Sequence, residues 1–206
     1  MPTAAPSTTA LSRAAGTLML LGTVAWTITF SVWPSDAHHN SRPELAGGLV
    51  FQLGLAGYLT VLAKRGGAGT RWGRRILTGE AILLALASVW SVGTIIDTNI
   101  HQHGVLFALD LTWPLSMVWL VVVAVAVLRA GRFHGISRFA PLSGSLWLAV
   151  DGIGAAIGAA RPVHVAWMLA SYGWLSLVLF TGQPDAEPDV HPRADLPRVS
   201  VAGSQA

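Results

Sequence analysis

Cysteine is absent from the 206 residues, which excludes a disulfide, a thiolate metal ligand and a thiol nucleophile. Charge is scarce as well: Asp, Glu, Lys and Arg make up 11% of the chain, against about 25% in an ordinary soluble domain. Also missing is the 3.6-residue alternation of polar and apolar positions that marks a half-wet helix, because apolar residues come in long uninterrupted blocks. A soluble helical bundle is therefore disfavoured. No nucleotide-binding glycine motif, zinc-protease motif or nucleophile elbow occurs in a supporting context.

What is present is apolar. Hydrophobic residues make up 52% of the chain and the mean hydropathy is +0.55, so burying this surface requires a lipid bilayer as partner and solvent. A net charge of +3 and a pI of 10.2 would suit nucleic acid. The basic residues, however, fall in short loops between apolar blocks, where membrane topology explains them, and no nucleic-acid partner is expected. Arginine greatly outnumbers lysine in an alanine- and glycine-rich chain, which suggests a GC-rich bacterial genome. The expected location is the bacterial cytoplasmic membrane.

The expected fold is all-α, a polytopic bundle of six transmembrane helices over residues 14–33, 45–63, 76–96, 105–128, 140–160 and 163–181. Residues 1–13 and 182–206 read as disordered tails on composition. The first block is about as long as the ~20 residues that cross ~30 Å of hydrocarbon, and longer than the apolar core of a signal peptide. Pro114 predicts a kink or a helix start close to it. Gly47, Gly48, Gly54 and Gly57 predict close approach of a neighbouring helix to the second span. With six spans, eleven of the thirteen basic residues lie on the face that carries both termini and only Arg42 and Arg161 on the other, which places the termini in the cytoplasm.

Polar groups inside apolar blocks are costly and rank the candidate sites. Asp151 stands midway along the fifth block among Trp147, Gly152, Gly154 and Gly158. If Arg161-Pro162 is the whole turn between the last two spans, Asp151 lies level with Tyr172 and beside Ser171, whose hydroxyls suit a carboxyl in a dry place. Such a carboxyl either locks two helices together or carries a proton or ligand. Glu80, one turn inside the third span, reads as an interfacial carboxylate paired with Arg74 or Arg75 or reaching to water. Gln52, in the middle of the second span, is satisfied by a neighbouring hydroxyl or lines a polar cavity with Asp151. His38, His39, His101 and His103 gather on the outer face as metal-ligand types at spacings too loose to define a site. No metal or cofactor is expected.

The leading functional expectation is binding or transport of a small apolar or amphipathic molecule in a cavity near a central carboxyl, with proton coupling as an option. An intramembrane enzyme using Asp151 or Glu80 as general acid is the second, and an outer-face metal sensor or an accessory subunit the third. A homo-oligomer or a membrane-protein partner fits each of them.

Overall fold

The computed structural model describes residues 8–35, 41–97 and 108–181. Its helices are α1 (Thr8–Val32), α2 (Arg42–Lys64), α3 (Arg71–Ile96), α4 (Thr112–Ala130), α5 (Ala140–Ser145), α6 (Trp147–Ala156) and α7 (Ala160–Thr181), with a 3-10 turn at Gly135–Phe139 before α5. Among the described residues there is no strand. Five helices are long and apolar enough to cross a membrane: α1, α2, α3, α7 and the one ending in α4, counted from Ala108. The chain is a multi-pass membrane protein by this measure.

Polarity is distributed as lipid solvent requires. Leu21, Ile82, Val89, Ile96, Val118 and Leu177 point outward and are more than half exposed, while Thr23, Gln52, Glu80, Ser91, Ser116 and Ser176 are buried. Most of the buried hydroxyls donate to the carbonyl one turn back, as Thr23 does to Met19 at 2.8 Å, Ser91 to Ala87 at 3.0 Å and Ser176 to Tyr172 at 2.6 Å. Each such bond removes a donor that hydrocarbon would leave unsatisfied.

Small residues set the closest packing. A Cβ added at Gly22 would fall 2.6 Å from Phe51 Cα, and one at Gly54 the same distance from Met19 Cα, so α1 and α2 pack antiparallel with backbone almost in contact. Gly16 meets Ser176 and Phe180 in the same way, which brings the start of α1 beside the end of α7. α3 pairs with α4 through Trp119, whose indole donates to the Ile76 carbonyl at 3.0 Å. The helix ending in α4 is interrupted at Leu111, close to Pro114.

The block expected as a fifth span is not one helix. It is broken at Leu146 (φ −83°, ψ 3°) into six-residue α5, opened by Pro141, and ten-residue α6. A break in hydrocarbon strands carbonyl groups, and side chains satisfy them here: the Trp167 indole donates to the Ser143 carbonyl at 3.0 Å and the Ser145 hydroxyl to the Leu142 carbonyl at 2.9 Å. The reversal into α7 differs from expectation as well. Gly158, with φ +71°, ends α6 in the left-handed conformation that glycine adopts without strain, and Arg161-Pro162 lies inside the first turn of α7, where proline is well placed.

Candidate functional site

Gln52 lies near the midpoint of α2 and is 4% exposed. Its Nε2 donates to Ser91 Oγ of α3 at 3.0 Å, and its Oε1 is buried with no hydrogen-bond partner among the described residues. Two cavities meet at this side chain. One, of about 180 Å³, is lined by Trp26, Trp90, Trp113, Glu44, Asp110 and Gln52 at the α1-end, α2-start side of the bundle. The other, of about 400 Å³, runs between α2 and α3 from Gln52 and Ser88 to Ala63 and Arg74. Leu53, Ala56, Thr60, Ala81 and Ala85 along it are exposed on the flank of the bundle, so this groove faces lipid.

The first cavity, the vestibule, combines aromatic walls with acceptors. Trp26 packs at 4.9 Å from Phe51 and edge-on to Trp113 at 5.7 Å. The Trp90 indole nitrogen is buried and unpartnered among the described residues. Glu44 holds the adjacent chain by accepting from the Ser35 backbone N–H, and Ser41 N–H donates to Ser35 Oγ at 2.9 Å. Aromatic faces beside carboxylates recognise an apolar body carrying a positive or hydrogen-bond-donating end.

Asp151 pairs with His164, not with Tyr172. His164 Nδ1 lies 3.1 Å from Asp151 Oδ1, and the Tyr172 hydroxyl has no hydrogen-bond partner among the described residues. The reason is register: with the reversal at Gly158, α6 and α7 face each other as Asp151 with His164 and Gly154 with Val163, while Gly144 meets the Tyr172 ring. Gly154 gives the close contact its spacing suggested, whereas Gly158 meets nothing within 4 Å. Ser171 is buried and donates to the Trp167 carbonyl at 2.7 Å, so it does not serve Asp151. The Asp151 side chain is 37% exposed, and it lines neither the vestibule nor the groove. His164 itself is buried among aromatics, stacked on Phe30 at 4.3 Å and edge-on to Trp147 at 5.3 Å and Trp26 at 5.6 Å.

Glu80 is fully buried, which corrects its reading as an interfacial carboxylate paired with arginine. α3 begins at Arg71, earlier than the apolar block, so Glu80 lies more than two turns inside. Ser116 of α4 donates to its Oε1 at 2.6 Å, and Oε2 is unpartnered among the described residues. The Tyr58 and Tyr172 hydroxyls are both buried and have no hydrogen-bond partner among the described residues. A cavity of about 10 Å³ is lined by Tyr58, Tyr172, Ser145 and Leu120. The buried polar groups thus form a Glu80–Ser116 pair between α3 and α4 and two tyrosines, of α2 and α7, on one small cavity.

The expected histidine group His38, His39, His101 and His103 lies outside the described residues. Among the described residues no set of three or more His, Asp and Glu side chains gathers to hold a metal. Sequence reasoning missed Ser91 and Ser116, single hydroxyls in apolar helices whose partners lie 39 and 36 residues away. No family model, curated protein or solved structure matches the chain.

Proposed function

We propose that this chain is a six-crossing protein of a bacterial cytoplasmic membrane, termini in the cytoplasm, that binds a small amphipathic molecule with a positive or donor end and passes it between the vestibule and the bilayer. The observation that carries the reading is that Gln52 lines both cavities and presents, where they meet, an acceptor with no partner among the described residues. The Gln52–Ser91 bond is then the constriction between an aromatic, acceptor-lined entrance and a groove open to lipid. In this reading α5 and α6 are the sixth crossing in two pieces, which agrees with their antiparallel packing on α7 and with the eleven-to-two charge bias.

A titration tests it. Tryptophan fluorescence of the purified protein in detergent is followed with a short-chain alkyltrimethylammonium salt and, separately, the matching alkyl sulfonate. The cation is expected to give a saturable change that Glu44→Gln and Gln52→Leu weaken, and the sulfonate none. Saturable binding of neither probe, or of both equally, removes the reading.

Proton coupling is favoured by one contact. Trp26 is both a wall of the vestibule and part of the aromatic cage of His164, so the Asp151–His164 pair and a vestibule ligand share a side chain. Asp151 is the carboxylate in contact with His164. Loss of any pH dependence of cation binding in Asp151→Asn is the expected sign; an unchanged pH profile ends the coupling.

A further inference from the structure

We propose that the groove between α2 and α3 is a binding site for an anionic membrane lipid, with one acyl chain laid along the helix pair and the head-group phosphate on Arg74. This concerns the groove alone and holds whether or not anything passes Gln52. The groove's dimensions come first. Along α2 it runs from Gln52 to Ala63 and along α3 from Ser88 to Arg74, about 16 and 21 Å at 1.5 Å per residue. One leaflet of hydrocarbon is about 15 Å deep. Spreading about 400 Å³ over that length leaves a cross-section of about 19–25 Å². The groove is therefore long and narrow, the shape of a single extended chain laid along the helix pair.

The wall chemistry agrees. Thr60, Thr78 and Ser88 line the groove, yet each hydroxyl donates to its own helix, to Ala56 at 2.8 Å, Arg74 at 3.0 Å and Leu84 at 2.8 Å. With those donors spent, the wall offers mainly methyl and methylene groups. The amide and the cation that line it, Gln52 and Arg74, stand at its two ends.

Charge fixes the orientation of the lipid. Arg71, Arg74 and Arg75 occupy the first turn and a half of α3, with no acidic residue in its first turn. Cations there oppose the positive end of the helix dipole, and an anion relieves both. Lys64 ends α2 at the same side of the bundle. Among the described residues none of these four side chains has a carboxylate partner. Trp72 is 71% exposed with the Arg75 guanidinium 5.0 Å over its ring, an aromatic–cation pair of the kind that sits at head-group depth. Basic pockets between transmembrane helices at the membrane surface are where anionic head groups bind.

Native mass spectrometry of the purified full-length protein tests this, with phosphatidylglycerol and phosphatidylcholine of identical chains as probes. The first phosphatidylglycerol is expected to bind at least about fivefold more tightly than phosphatidylcholine, about the effect of one cation at the membrane surface. Arg74→Gln should abolish that preference while leaving phosphatidylcholine unchanged, whereas Arg71→Gln, outside the groove, should retain most of it. Ala85→Phe, at an exposed wall position, should remove the first binding event of either lipid, and the thermal midpoint of each variant reports whether it is folded. Equal binding of the two lipids overturns the proposal, as does an Ala85→Phe protein that binds both like the parent. Equal losses in Arg71→Gln and Arg74→Gln would make the preference a diffuse basic surface. A dimer that Ala85→Phe dissociates, with no lipid bound to the monomer, would give the groove to a second copy.

Discussion

The Gln52–Ser91 bond allows a quantitative check on the centre of the molecule. Ser91 Oγ donates to its own helix at Ala87 and accepts from Gln52 Nε2, so Ser91→Ala leaves a buried amide with neither end paired among the described residues. In a soluble core, orphaning such a group costs about 1–3 kcal/mol. Hydrogen bonds between helices in membranes average about 0.6 kcal/mol and reach about 1.7, because the unfolded chain in lipid also finds partners. The expected cost of Ser91→Ala therefore lies between about 0.6 and 2 kcal/mol. Gln52→Leu removes the amide together with its unpartnered oxygen, and is expected to be neutral or stabilising by up to about 1 kcal/mol. The double variant should match Gln52→Leu, giving a coupling equal to the Ser91→Ala cost, about 0.6–2 kcal/mol. Reversible unfolding in mixed micelles across rising dodecyl sulfate measures all four proteins. If Ser91→Ala costs as much in the Gln52→Leu background as in the parent, the two side chains do not act through each other and the constriction is wrongly placed. Stability retained with cation binding lost in Gln52→Leu is the combination that assigns this residue to function.

The same unfolding assay carries three further predictions. Gly54→Ala forces a Cβ to within 2.6 Å of Met19 Cα and should cost about 1–3 kcal/mol as α1 and α2 are pushed apart, while Gly173→Ala, which meets nothing, should gain about 0.5–1 kcal/mol; equal effects would show that α1 and α2 do not touch there. Asp151→Asn keeps a hydrogen bond to His164 and, at a side chain 37% exposed, should change stability by less than about 1 kcal/mol, whereas Asp151→Leu leaves the buried ring unpaired and should cost about 1–3 kcal/mol. Trp167→Phe leaves the Ser143 carbonyl bare at the break before α6 and should cost about 1–2 kcal/mol, with faster amide exchange in α5 and α6 than in α2; unchanged exchange would mean that the indole does not hold the break.

Membrane class was legible because composition excludes every other solvent, and the outward Leu, Ile and Val together with the inward Ser, Thr and Glu are its structural counterpart. The break at Leu146 was not legible, because hydropathy registers side chains and the break is a backbone event. Its cost is met by groups distant in sequence or unremarkable in type, the Trp167 indole and the Ser145 hydroxyl. Gly144, Gly152 and Gly154 were visible, but glycine in an apolar run reads equally as close packing and as a weak helix. Gly144 and Gly154 do meet α7, and Gly152 meets nothing.

The candidate carboxyls exchanged places for two reasons of register. Taking Arg161-Pro162 as the turn ignores that proline starts helices; the reversal is at Gly158, and moving its centre by about three and a half residues slides the facing helix by about seven, two turns or about 10 Å. Asp151 thereby lost Tyr172 and met His164 instead. At the other end, the apolar block begins at Ile76, but Thr70 caps α3, accepting from Gly73 N–H at 3.3 Å, and the helix starts at Arg71 with its arginines already wound. Glu80 therefore stands about 13 Å from the helix start, not about 6 Å, and on the face of α3 that packs on α4, where its carboxyl meets Ser116 and not water. Hydropathy marks where lipid begins; the cap marks where the helix begins. Glu80 is thus a buried carboxyl that finds Ser116, and among the described residues no carboxylate claims Arg74 on the groove.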